Sequence, residues 1–324
     1  MQSSPLKILC ITGWCRNGST VIGNILNEIP GFFHVGEIHF LWKNSTGKGA
    51  NNSCGCREPL TECEIWSKVL ESGRPPGVSA GEHAATVRRR QLSYVRTRHT
   101  WRVLNRGLHC AGIREHAELM ALTYRTAAEL MDARVIVDTN KIPGESALLP
   151  HLDGVEPYFV HLVRDPRAVA GSWSGWKQYA YPMSSARSTA YWHGFNTASQ
   201  AIVRRHPRRS MFLRYEDFIA DPTAAVDGLL RLCGVEAGNP MGGGRTVELH
   251  TNHTVTGNPD RFDTGPTLVR DRDDSWKTRL SAPAKLAAVT LSWPQFRRYG
   301  YSYAGTFRSR TGQVPAAAPV EEHG

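Results

Sequence analysis

The apolar positions of this chain fall into short dense runs, separated by segments in which they recur at helical spacing. Residues 6 to 13, LKILCITG, form one such run, which predicts a short strand buried on both faces. In STVIGNILNEI, from Ser19, the apolar residues have helical spacing and stop before Pro30 and Gly31. GFFHVGEIHFLW then predicts a second strand with Glu37 at its end, and REHAELMALTYRTAAELMD a long helix. RVIVDTN, YFVHLVR (stopping at Arg164) and RSMFLRYEDF predict three more strands, and DPTAAVDGLLRLCGV a helix with Pro222 in its first turn. Strands alternating with helices imply parallel pairing and right-handed crossovers, hence an α/β fold with an open, doubly wound sheet. Ligands in such sheets sit at the carboxyl ends of the strands.

The remaining stretches lack a clear period. Residues 72 to 110 are rich in Arg and Gly and carry no clean apolar stripe, while residues 238 to 275 read as a long surface loop. From Ala304 onward the composition is that of a disordered end, which leaves residues 1 to 303 as the folded domain.

Length and composition fit this picture: 324 residues at 40% apolar suffice for a sizeable core. Lys and Arg number 39 against 29 Asp and Glu, a net charge of +10 that favours an anionic ligand, although Arg-rich composition alone produces such an excess. No window approaches the roughly 18 apolar residues of a membrane span, and the amino end has no leader pattern, so the expected location is cytoplasmic. Cys10, Cys15, Cys110 and Cys233 lie among apolar neighbours, as packing thiols do. Cys54, Cys56 and Cys63 form a tighter group in NNSCGCREPLTECEIW. They could bind zinc if a fourth ligand came from elsewhere, or form a disulfide, but the C-x-C spacing is not that of a standard four-ligand knuckle. The expectation is reduced packing cysteines and no metal.

Two segments carry the chemistry. CITGWCRNGST has the form of a strand running into an anion-binding loop at a helix N-terminus, where unpaired amides and the helix dipole attract negative charge. Gly18 permits close approach, Ser19 and Thr20 offer hydroxyls, and Arg16 offers a charged fork. A Walker loop would have Gly-Lys before its Ser or Thr; Ser19 stands where that Lys should be, which weakens an ATP-dependent kinase reading. The second segment is VHLVRDPRAVAGSW. It ends a strand at Arg164, opens a helix at Pro166 and places Ser172 about two turns in, an arrangement suited to a second, separate phosphate.

Together the two segments resemble the sulfotransferases that use 3′-phosphoadenosine 5′-phosphosulfate (PAPS). The family's first signature, a strand followed by [K/R]-S-G-T-T, is matched by Arg16, Asn17, Gly18, Ser19 and Thr20, with Asn17 departing. Its second, R-[D/N]-P-[R/K]-x-x-x-x-S, is matched by Arg164, Asp165, Pro166, Arg167 and Ser172. CGCREPLTECEIW, VDTNKIP, RYEDFIADP and HTVTGNPDRF also resemble segments of bacterial members, where VDTNKIP usually reads V-D-S-S-K-x-P. The resemblance implies a P-loop-like three-layer sandwich, with Arg16 to Thr20 on the 5′-phosphosulfate and Arg164 and Ser172 on the 3′-phosphate. Gly257, Asn258 and Arg261 resemble the loop that closes over that phosphate.

Sulfuryl transfer needs positive charge at the bridging oxygen and a base for the acceptor proton. Arg16 can supply the charge, and Lys141 at another strand end could reach the transferring group, with Asp138 as its orienting partner. Glu37 is the leading base and His34 and His39 its rivals; His39 would share Glu37's face if the strand continues. Glu37 could instead be paired with a nearby Arg. Trp42 and Trp276 are candidates to stack on adenine, although a lone Trp is more often core. Acceptor contacts are expected from 72 to 110 and 175 to 195, including Trp176, Tyr179, Tyr181 and Tyr191, which helix packing would explain equally well. The acceptor would be a carbohydrate, glycolipid or natural product. Rival readings are a P-loop nucleotide kinase and a non-catalytic nucleotide- or nucleic-acid-binding module. The Arg run at 88 to 106 gives the latter a foothold, but a charge run is usually a solvated face, so no nucleic-acid partner is expected.

Overall fold

In the computed structural model, residues 4–47, 51–175, 181–270 and 274–303 are described. Five parallel strands make the central sheet: β1 (Leu6–Thr12), β2 (Phe32–Gly36), β3 (Val135–Asp138), β4 (Val155–Val163) and β5 (Ser210–Arg214), in the order β2-β3-β1-β4-β5. The chain runs from β1 to one side of the sheet and then crosses to β4 on the other. The topological switch therefore falls between β1 and β4, where open α/β sheets hold their ligands.

The apolar runs are continuous because both sheet faces are covered. On one face Ile8, Cys10, Phe33 and Ile136 pack against Tyr124 and Ala127 of the helix Ala111–Leu130. On the other, Leu9, Ile11, Val137 and Val160 meet Ile22, Ile25 and Leu26 of the helix Ser19–Asn27 and Val226 and Leu229 of the helix Pro222–Cys233. The result is the expected three-layer α/β sandwich, with strand faces alternating between two cores.

Local chemistry sets the helix starts. Pro166 opens the helix Pro166–Trp173, and the Asp165 side chain accepts from the Arg167 amide at 2.8 Å. Residues 72 to 110 contain the helices Ala80–Tyr94 and Thr100–Arg106. The first begins with a reciprocal capping box between Ser79 and Glu82.

The stretch 238 to 275 differs from the long surface loop expected. It contains an antiparallel pair, β6 (Thr246–Leu249) and β7 (Gly265–Leu268), and its middle is buried at Asn252, Thr254, Thr256 and Arg261. That middle segment lies along the end of β2: the Val255 amide donates to the Val35 carbonyl at 3.0 Å. Gly36 (φ 77) makes the approach possible, since a Cβ there would lie 2.8 Å from the Thr256 oxygen. The tail from Ala304 lies outside the described residues.

Candidate active site

The loop after β1 takes its shape from the neighbouring strand. Gly13 (φ 141) runs so close to β4 that a Cβ would collide with the Leu162 carbonyl oxygen. Asn17 Nδ2 donates to that same oxygen at 2.9 Å, and Asn17 Oδ1 accepts from the Ser19 amide at 3.3 Å. Asn17, which departs from the family signature, thus closes the loop onto β4. Gly18 (φ 90) leaves room for the Tyr215 ring. Arg16 adopts φ 69 despite its side chain, a strained backbone of the kind that clusters at functional sites.

Three cations surround this loop. Arg16 Nη1 donates to Asn258 Oδ1, and its guanidinium lies 4.8 Å from the Trp173 ring centroid. Arg164, one residue past β4, donates from Nη1 to the Arg16 carbonyl at 3.2 Å and lies over Tyr215 at 4.6 Å. Lys141, past the end of β3 and only 4% exposed, donates from Nζ to Ser19 Oγ. The cation that a Walker loop carries in its own sequence before the Ser here arrives from a different strand.

Glu37 follows Gly36 directly, beyond a register shift in the β2–β3 pairing. Among the described residues no hydrogen bond or ion pair engages its carboxylate, so pairing with Arg is not observed. Burial pushes the Glu37 carboxyl above its ordinary value, while the charges of Lys141, Arg16 and Arg261 pull the other way. Glu37, Arg16, Ser19, Thr20 and Lys141 line a cleft of about 250 Å³, with Cys15, Phe40, Lys43, Asn44, Trp173, Thr256, Gly257 and Asn258 completing its wall. A larger concavity of about 890 Å³ lies near Lys7, Asp132 and Arg134, at the amino ends of the strands. The smaller cleft is the candidate site because it sits at the carboxyl ends and gathers the charged groups.

Several expected residues sit elsewhere. His34 is buried between Asn24 Oδ1 and Thr139 Oγ1, each at 3.3 Å, and burial lowers its pKa to about 3. β2 stops at Gly36 instead of continuing, and His39 lies in the short turn Ile38–Phe40 with Nδ1 2.7 Å from Glu145 Oε2. The other Glu145 oxygen meets His116 at 2.8 Å. Burial pushes the Glu145 carboxyl up, but the two histidines more than offset it and hold it at about 2. Asp138 does not orient Lys141: it accepts from the Tyr124 hydroxyl at 2.7 Å, and burial raises its pKa to about 7.

Trp42 and Trp276 are core residues, 2% and 5% exposed, and Trp276 packs under Arg167. Arg261 is not on the cleft wall; it is 2% exposed and donates from Nη1 to the Val255 carbonyl at 3.1 Å, bracing the loop from behind. Ser172 lies in the last turn of its helix, partly buried, and its hydroxyl makes no hydrogen bond among the described residues. Tyr191 stacks on Trp14 at 5.1 Å and Tyr181 is exposed, whereas Trp176 and Tyr179 lie outside the described residues.

Sequence reasoning missed the Lys141–Ser19 and Arg16–Asn258 contacts, the place of Trp173 over Arg16, and the bond from Asn44 Nδ2 to Thr256 Oγ1 at 2.6 Å. Each joins segments more than 100 residues apart, so no local pattern announces it.

No curated protein sequence matches the chain. Among solved structures, it resembles the sulfotransferase domain from the Synechococcus PCC 7002 olefin synthase, with a TM-score of 0.52 at 17% identity over 91% of this chain and 96% of that one. It also resembles the sulfotransferase domain from the curacin biosynthetic pathway, with a TM-score of 0.51 at 14% identity over 93% of this chain and 99% of that one. At such identities the likeness speaks for the fold. The sequence-family model described as "Sulfotransferase family" matches residues 9–238, which is well over half of the chain, and the chain therefore belongs to the sulfotransferase family.

Proposed function

We propose that this protein transfers a sulfuryl group from PAPS to the hydroxyl of a small-molecule or carbohydrate acceptor. The domain that does so spans residues 1 to 303. Glu37 takes the acceptor proton as the acceptor oxygen attacks sulfur in line. The bond from sulfur to the 5′-phosphate oxygen breaks, its electron pair stays on that oxygen, and 3′-phosphoadenosine 5′-phosphate leaves. Arg16 and Lys141 stabilise the charge that develops there, together with the loop amides at the head of the helix Ser19–Asn27. Arg remains protonated, so Arg16 acts through its charge and not as a proton donor. Arg164 and Ser172 hold the 3′-phosphate; Asn258 and Gly257 close over the nucleotide, and Arg261 supports them from behind.

The observation that carries this reading is the meeting of two cations in one cleft with a carboxylate that has no hydrogen bond among the described residues, beside a second strand end whose Arg164 is hydrogen-bonded to the Arg16 carbonyl. A base with its pKa raised toward neutrality is the more effective one, and partial desolvation of Glu37 acts in that direction. Calorimetric titration with 3′-phosphoadenosine 5′-phosphate beside ATP with magnesium tests it. Tight binding of the bisphosphate and weak binding of ATP is the expected result, and the opposite ranking would replace the reading with that of a nucleotide kinase.

A further inference from the structure

Cys54, Cys56 and Cys63 acquire in the fold the fourth partner that the sequence lacked nearby. His253 comes from the segment that runs along β2, and the four ligand atoms lie within 4.8 Å of one another. Cys54 and Cys63 sulfurs are 3.5 Å apart, and His253 Nδ1 is 3.7 Å from the first and 3.3 Å from the second. A tetrahedron with zinc–sulfur bonds of about 2.3 Å and a zinc–nitrogen bond of about 2.0 Å has sulfur–sulfur edges of about 3.8 Å and sulfur–nitrogen edges of about 3.5 Å. The three spacings among Cys54, Cys63 and His253 lie close to those edges, the sulfur–sulfur one is far longer than a disulfide bond of about 2.05 Å, and Cys56 Sγ falls within 4.8 Å of all three.

His253 Nε2, the nitrogen facing away from the sulfurs, lies 3.6 Å from Glu64 Oε1, so a carboxylate flanks the imidazole on its outer side. Arg57 turns the knuckle with φ 77, and a Cβ on Gly55 would collide with Asn252 Oδ1. Arg261 is an electrostatic neighbour of Cys54, which places a cation beside a cluster whose three thiolates exceed the charge of a divalent ion.

We propose that Cys54, Cys56, Cys63 and His253 form a structural zinc site. Three sulfurs and one imidazole nitrogen gathered within 4.8 Å of one another select zinc over the hard cations, and four protein ligands leave no open position for catalysis. The metal pins the knuckle 51–63 to the segment 252–262, which carries Thr256, Gly257 and Asn258 to the cleft. The site itself does not depend on the proposed reaction.

The test is metal analysis of the full chain purified without chelator, with cobalt substitution as the second readout. About one zinc per chain is expected, and the cobalt form should show thiolate-to-metal charge transfer with intense tetrahedral d–d bands. Cys63→Ser and His253→Ala should lose the metal, whereas His253→Cys, which restores four ligands, should keep it. Substoichiometric zinc after growth with added zinc, without the cobalt bands, would overturn the proposal, and so would a Cys54–Cys63 disulfide in a non-reducing peptide map. Should the variants fail to fold, the native chain's zinc content and cobalt spectrum decide alone.

Discussion

The cleft has two unlike walls. One is carried by the sheet: the loop after β1, Glu37 after β2 and Lys141 after β3 project from strand ends fixed by ladder hydrogen bonds and by cores on both faces, with Arg164 after β4 behind the loop and off the lining itself. The other is the segment 252–262, which lies outside the five-stranded sheet and is held by side-chain bonds. Asn252 Nδ2 donates to the Arg261 carbonyl at 2.8 Å, Arg261 to the Val255 carbonyl and Asn44 to Thr256 Oγ1. A reacting group needs a fixed position, and strand ends supply it; a wall that must admit and release a nucleotide is better built from a loop with its own anchor. The sheet wall should accordingly control chemistry and charge recognition, and the loop wall retention of the ligand.

Glu37→Gln should break the sheet wall most severely. Turnover is expected to fall about 10²- to 10⁴-fold, the usual contribution of a general base, while affinity for 3′-phosphoadenosine 5′-phosphate changes little. Measuring product formation beside calorimetric affinity checks this, and a fully active variant would remove Glu37 from the role. Next comes Arg164→Ala, which deletes a charged partner of the ligand worth about 1.5–3 kcal/mol, or about 10- to 150-fold in affinity. The melting temperature should be nearly unchanged.

Asn258→Ala tests the loop wall, where a hydrogen-bonding side chain worth about 0.5–1.5 kcal/mol is removed, a loss of about 2- to 13-fold. That loss should be seen in faster ligand dissociation, with single-turnover chemistry retained; equal damage to both steps would erase the contrast between the walls. The smallest effect is on pH. Glu37 must be ionised to accept a proton, and burial raises its pKa, so activity falls as pH drops through a value above the ordinary Glu pKa of about 4.3. Lys141→Met removes the leading charge that opposes the rise, and the acid limb of the rate profile should move further toward neutral pH.

The sheet wall was largely legible in the sequence and the loop wall largely was not. Segments such as Leu6–Thr12 and Val155–Val163 announce buried parallel strands by apolar residues on both faces, at Ile8–Ile11 and Tyr158–Val160 above all, and strand ends then give the positions of Arg16, Glu37, Lys141 and Arg164. Partners were harder. Lys141 was expected beside Asp138 because the two are close in sequence, yet it reaches Ser19 across 122 positions, and Asp138 is drawn to Tyr124 inside the core. Gly36 ends β2 by turning into the left-handed region, so His39 leaves the face it would have shared with Glu37. In 252–262 the Gly, Asn and Pro content is that of an exposed loop. Burial there comes from contacts with Val35, Asn44 and the cysteine knuckle, which only the fold supplies. His253 lies 190 positions from Cys63, so spacing along the chain could not complete the metal-ligand set.

In the proposed reaction the loop after β1 and Arg164 after β4 hold opposite ends of one nucleotide. The most direct measurement compares affinities for 3′-phosphoadenosine 5′-phosphate and for 5′-AMP, which lacks the 3′-phosphate, in the native chain and in Arg164→Ala. A strong preference for the bisphosphate is expected in the native chain and should disappear in the variant, with 5′-AMP binding equally to both; a preference that survives the substitution would take Arg164 off the 3′-phosphate.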